Sequence, residues 1–183
     1  MNKVKVNRWL PCLVIFAALF GPASGMGQAA AGSSLQLHFS VEDEGVKHPV
    51  SIPAEVLAEL RKDSGVHDAL DAQDMEANKL PVSWFSAAAV PLTGSDEKGL
   101  VVIGKGPLQG ANVTTFWVFR RTPQGLQLVL TTVAHDLEFK NPQPNGYREI
   151  ETTAATAASV TTVVYRMGDL RYVESSRKTE QIK

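Results

Sequence analysis

From Gly99 to Thr132 three runs of apolar residues are separated by turn residues. Leu100 to Ile103 and Leu126 to Val129 are short and apolar, and Thr114 to Phe119 between them is β-branched and aromatic. Such residues suit a pleated, half-buried surface, so the stretch predicts three successive strands. The gaps carry Gly104, Gly106, Pro107 and Gly110, then Thr122-Pro123-Gln124-Gly125. Pro sets φ and Gly two residues later accepts positive φ, which makes the second gap a tight turn. In the middle strand Phe116 and Val118 point one way and Trp117 and Phe119 the other. Apolar residues on both faces predict a central strand covered on both sides.

A shorter echo closes the chain. Ala158 to Arg166 repeats Ala111 to Arg120 with one residue dropped, and Gly168 to Val173 loosely matches Gly125 to Val129. Tyr147 to Thr153 takes the place of the leading strand. The pattern predicts two related three-strand meanders. His135 to Phe139 reads as a further strand, followed by the turn Asn141 to Gly146, and the polar end from Ser175 to Lys183 reads as frayed.

Upstream, Leu35, Leu37, Phe39 and Val41 alternate with polar residues, the mark of a strand with one wet side. Pro53 opens a helix whose core stripe is Val56, Leu57 and Leu60, and Asp63-Ser64-Gly65 closes it, with Gly65 as a left-handed cap. A second short helix is expected over Val66 to Gln73, then a strand over Val82 to Val90 with Trp84 buried. The chain turns back at Ser95 to Gly99. Taken together, the fold is α+β: a mainly antiparallel β-meander with an N-terminal strand and a helical segment.

Before Leu35 the pattern changes character. Lys3, Lys5 and Arg8 precede an apolar core from Leu10 to Phe20, and small residues follow up to Ala31. This is the layout of a secretory signal peptide over residues 1–31, cut after Ala29 or Ala31. The apolar run is shorter than the ~20 residues that span a bilayer, so no stable membrane insertion is expected after cleavage. Residues 32–183 then form one exported domain. Cys12, the single cysteine, leaves with the leader, which removes disulfides and thiol chemistry. Pro11 before it and the apolar core after it do not fit a lipid anchor. Of the 183 residues 44% are hydrophobic and 20% charged, an ordinary globular balance. The formal net charge is −1, and losing three leader cations takes it to −4. Such a chain has no basic field for nucleic acid.

Candidate chemistry is thin. Gly104 to Gly110 follows a strand but opens another strand, whereas a phosphate loop opens a helix. His38, His48, His67 and His135 lack the spacing of a zinc pair on one helix or hairpin. His135 and Asp136 adjoin, and as neighbours in a strand they would face apart. The acidic Asp68, Asp71, Asp74 and Glu76 do not follow a calcium-loop spacing and read as solvated surface. No cofactor and no metal site is expected. Glu97, Glu138, Glu149 and Glu151 supply carboxylates of the kind that hydrolyse glycosidic bonds. Arg120, Arg166 and Tyr172 stand on what reads as an exposed strand face, and Arg and Tyr are enriched at interfaces.

Gly99-Leu100-Val101-Val102-Ile103-Gly104, Thr115 to Phe119 and Gly125 to Val129, with a second copy opening at Asn145, resemble the FG-GAP and VCBS type of β-propeller repeat over Pro81 to Val173. Asp96-Glu97 is what stands in place of that family's Asp-rich calcium loop. Two units do not close a propeller, and the chain also resembles small secreted bacterial β-meander proteins of unknown function. The resemblance implies export and a β-fold and gives no reaction. These readings lead to a non-catalytic binding or inhibitor module, periplasmic or secreted in a bacterium, that takes an envelope protein or glycan through Arg120, Arg166 and Tyr172. The alternative is a hydrolase of cell-wall or polysaccharide substrate that uses His135 with Glu138.

Overall fold

The structure is a computed structural model that describes residues 36–43, 45–94 and 98–182. The signal segment with Cys12, Leu35 of the first strand, and Asp96-Glu97 lie outside the described residues. In chain order the elements are β1 (His38–Ser40), α1 (Ala54–Leu60), α2 (Ser64–Asp71), β2 (Phe85–Pro91), β3 (Lys98–Gly104), β4 (Thr114–Thr122), β5 (Gly125–Ala134), β6 (Asp136–Pro142), β7 (Arg148–Ala155), β8 (Ser159–Met167) and β9 (Tyr172–Gln181). All strand pairing among them is antiparallel, in a sheet of order β2-β3-β4-β5 and a second of order β1-β6-β7-β8-β9.

The two faces of β4 decide the layering. Phe116 and Val118 enter a core with Phe39, Phe139, Ile150 and Met167 of the five-stranded sheet, so the sheets pack face to face. Trp117 and Phe119 enter a second core with Val56 and Leu60 of α1 and Val66 and Leu70 of α2. The helices therefore cover the outer face of the four-stranded sheet, and β4 is covered on both sides, as its sequence predicts. The outer face of the five-stranded sheet meets solvent. No helix among the described residues is long and apolar enough to cross a membrane.

The repeat has a structural counterpart. In β4–β5 the register slips between Val118 and Phe119, and in β8–β9 between Val164 and Tyr165. Both slips fall inside a Val-aromatic-Arg triplet, and in both the extra residue, Val129 or Ser175, is on the later strand. A bulge at the same place in two meanders turns the following side chains to the same relative side.

Several local expectations give way. Residues 82–84 are a 3₁₀ turn after Pro81, so β2 begins only at Phe85 and Trp84 is half-buried outside the sheet. Asp63 does not end α1 as part of a cap. It starts α2, its carboxylate accepting from the backbone N–H of Gly65 (2.9 Å) and Val66 (3.3 Å), and Gly65 has no left-handed φ. Of the first predicted strand His38–Ser40 forms β1, and on either side of it Leu37 O accepts from Phe139 N–H (2.8 Å) and Val41 N–H donates to His135 O (3.0 Å). The polar end is ordered: β9 runs to Gln181 beside β8, tied by Thr161–Thr179 hydroxyls at 3.0 Å and by Ser175 Oγ donating to Val164 O at 3.0 Å. Cross-strand pairs of this kind stabilise a strand that buries almost nothing.

Candidate functional site

The tight turn at Thr122 to Gly125 brings β4 and β5 to one end of the sandwich, with Gly125 at φ +119 and Thr122 Oγ1 bonded to Gly125 O at 3.0 Å. Between this hairpin and α1 lies an open cleft of about 960 Å³, with Glu55 and Glu59 on the helix side and Arg120, Arg121, Gln124 and Tyr147 opposite. Arg120 sits where the inter-sheet core ends. Its two terminal nitrogens donate to Tyr147 Oη (3.2 Å) and Gln127 Oε1 (3.0 Å), while its buried Nε has no partner among the described residues. Arg148 behind it donates to Lys140 O at 2.8 Å and its Nε is likewise buried and unpaired. Arg121 is exposed. Glu59 is paired with Lys62 at 2.6 Å.

The three residues expected on one binding face are dispersed. Arg120 lines the cleft. Arg166 lies on the solvent face of the five-stranded sheet in an ion pair with Glu149. Tyr172 is 4% exposed, inside the core between the sheets, and donates its hydroxyl to Arg148 O at 3.0 Å. Tyr172 pairs with the buried Met167 at the start of β9 and shares its inward face, so its ring packs instead of presenting itself. Burial pushes its phenol well above the ordinary range near 10, and nearby Tyr147 adds to this. A phenol raised on folding contributes stability that is fully present below pH ~10 and lost as pH climbs toward the folded value. Spectroscopic titration of tyrosinate should therefore show Tyr172 ionising only with unfolding. The Tyr172→Phe variant should lose that alkaline step, and a Tyr172 that titrates in the folded protein would contradict its burial.

His135 and Glu138 are also held apart in role. Glu138 bonds Lys140 Nζ at 2.7 Å, and the same ammonium is 3.0 Å from Glu151. Glu138 and Glu151 are directly opposite across β6 and β7, and Lys140 relieves a repulsion that would otherwise cost stability. The Glu138 bond raises the Lys140 pKa against the opposing effect of burial, with Glu151 adding to the rise. His135 occupies the bend between β5 and β6, with its backbone N–H on Thr153 O (2.7 Å) and its carbonyl accepting from Val41 (3.0 Å). Because it lies in a bend and not in a strand, the alternation rule does not apply to it. Its Nε2 comes within 4.0 Å of Asp136 Oδ1, a pairing that strand geometry had excluded. Burial opposes ionisation of Asp136, but hydrogen bonds from Ser40 and Thr153, with the two imidazoles nearby, outweigh it and hold the carboxyl below its usual range. Sequence reasoning also missed Glu55, Gln124 and Tyr147. Arg120 and the Thr122 to Gly125 turn signal pointed toward that end of the molecule.

No family model matches the chain, no curated protein matches it, and no solved structure matches it.

Proposed function

We propose that the protein is a non-catalytic binding module of the bacterial envelope, periplasmic or secreted, and that the cleft between α1 and the β4–β5 hairpin takes an envelope protein or glycan. The observation that carries this reading is the composition of the cleft. Arginines on the hairpin face carboxylates on α1 across an open space of about 960 Å³, with an amide and a phenol beside the arginines. Side chains that donate and accept in this mixture suit a ligand rich in hydroxyl, amide or charged groups. Arg120 is already oriented by Tyr147 and Gln127, so little ordering is needed when a ligand arrives. Arg121 and Gln124 are exposed and able to make the first contacts.

The test uses the mature protein with soluble peptidoglycan fragments and with a detergent-solubilised envelope fraction. The doubly substituted Arg121→Ala, Gln124→Ala variant should bind at least ~tenfold more weakly, the loss expected of interface anchors. Arg166→Ala, on the far face, should bind as the wild type does. Ligand recovered from the complex should be chemically intact by mass spectrometry. Binding undiminished in the double variant removes the cleft from consideration, and turnover of recovered ligand replaces the binding module with a hydrolase.

A further inference from the structure

β9 forms one edge of the five-stranded sheet, and β1, at the other edge, has three residues. In the four-stranded sheet the β2 edge is covered where Pro49 bridges Ala88 and Val50 N–H donates to Ala87 O at 2.9 Å. The β5 edge is broken near its middle by the bulge at Val129. From Ser176 to Gln181, by contrast, β9 runs in unbroken register with β8, and its side chains there are exposed. Such an edge presents a row of N–H and C=O groups to any strand that can match it.

The pairing with β8 fixes which groups these are. Ile182 N–H donates to Ala158 O at 2.8 Å, next to the facing pair Ser159 and Gln181. In an antiparallel ladder hydrogen-bonded and non-hydrogen-bonded pairs alternate. Counting back from Ile182, Gln181, Thr179 and Arg177 fall in non-hydrogen-bonded pairs, so their main-chain groups point away from β8. The 3.0 Å contact between the Thr161 and Thr179 hydroxyls agrees, because side chains approach closest in such pairs. Lys178 and Glu180, between them, share one face of the strand, carry opposite charges and pair with each other.

We propose that this edge pairs with β9 of a second copy of the chain, antiparallel and about a two-fold axis through Thr179, joining two five-stranded sheets into one. The register follows from symmetry and charge. Main-chain hydrogen bonds across the edge require Arg177, Thr179 and Gln181 to face members of the same set. Axes through Arg177, Lys178 or Glu180 put like charges directly opposite each other, which destabilises a sheet. An axis through Gln181 pairs only the last few residues. The axis through Thr179 sets Lys178 opposite Glu180 of the second copy, twice by symmetry, and Arg177 opposite Gln181. Lys178, Glu180 and Arg177 are free to meet a second strand, with side chains 76%, 65% and 54% exposed. Charges that bar an unrelated strand from this edge thus admit a second copy of it. Few residues meet, so the dimer is weak and its population follows concentration. No residue lining the α1 cleft lies on β9, so this pairing and the cleft reading are tested separately.

Sedimentation velocity of the mature protein, with nothing added at its C-terminal end, should show a monomer–dimer equilibrium between roughly 10 µM and 1 mM. Thr179→Pro removes an N–H that points away from β8, where an edge strand accepts proline. It should keep the wild-type circular dichroism and weaken the dimer at least ~tenfold. Lys178→Glu and Glu180→Lys should each be monomeric alone, because each sets like charges face to face. Mixed in equal amounts the two variants should form a heterodimer, since every facing pair is again opposite in sign. These charge variants leave the main chain intact and decide the matter if Thr179→Pro fails to fold. A wild type that stays monomeric throughout overturns the proposal. So does a dimer that persists in folded Thr179→Pro or in Lys178→Glu alone, or a mixture of the charge variants that remains monomeric.

Discussion

Trp117→Ala should lower the unfolding free energy by about 3–5 kcal/mol, the usual loss for a large aromatic removed from a packed interior. The indole is 1% exposed and lies at the centre of β4, on the face covered by the helices. It meets Phe85 edge-on, with ring centroids 5.8 Å apart, and Nε1–H donates to Asp63 Oδ2 at 2.9 Å. The other oxygen of that carboxylate caps α2. One acidic side chain thus ties the start of a helix to the middle of a sheet, and truncating Trp117 breaks the tie as well as opening a cavity. Trp117→Phe keeps most of the ring and loses the donor, so its cost should be smaller. Urea denaturation followed by circular dichroism measures both. In a Trp84→Phe background of the mature chain, iodide should quench Trp117 emission poorly. A loss below ~1 kcal/mol for Trp117→Ala would show that the outer core is looser than this packing requires.

Gly99→Ala should be damaging although it adds a single methyl group. A Cβ at this position would stand 2.5 Å from Leu92 Cδ1 and 2.6 Å from the carbonyl oxygen of Phe119. Neither neighbour yields easily: Leu92 is 0% exposed in the core between the sheets, and the Phe119 carbonyl belongs to the central strand. Overpacking of this kind costs about 1–3 kcal/mol, and Gly99→Val should exceed that range. Gly168→Ala is the control, because its nearest neighbour would be Arg171 O at an ordinary 3.4 Å. Leu92→Ala alone should cost about 2–5 kcal/mol, and less in the Gly99→Ala background because the cavity receives the new methyl. Additive losses in the double variant would mean that the clash is relieved by strand displacement and not by Leu92.

The division between sequence and structure runs along the range of the forces involved. Side-chain alternation is a local property of extended chain, so the assignment of Phe116 and Val118 to one core and Trp117 and Phe119 to another was legible in the sequence alone. The turn at Pro123-Gln124-Gly125 was legible for the same reason, and so was the repeat that later shows as two bulges in equivalent places. Pairing and convergence are not local. Ser175 to Gln181 has no apolar pattern, and it continues as a strand because the edge of β8 supplies hydrogen-bond partners. Gly99 reads as a turn residue, yet the register of β3 against β4 makes it a contact point beneath Leu92. Tyr172 and Arg120 look alike as strand-end polar residues until pairing with Met167 places one in the core and contact with Tyr147 holds the other at the rim of a cleft. The cluster of His38, His135 and Asp136 exists only because β1 pairs with β6 and the chain bends at residue 135. The sequence by itself determined which residues could be strands and which faces were apolar. The tertiary structure decided which polar groups meet, because that depends on register, bends and edge pairing between segments that no local pattern relates.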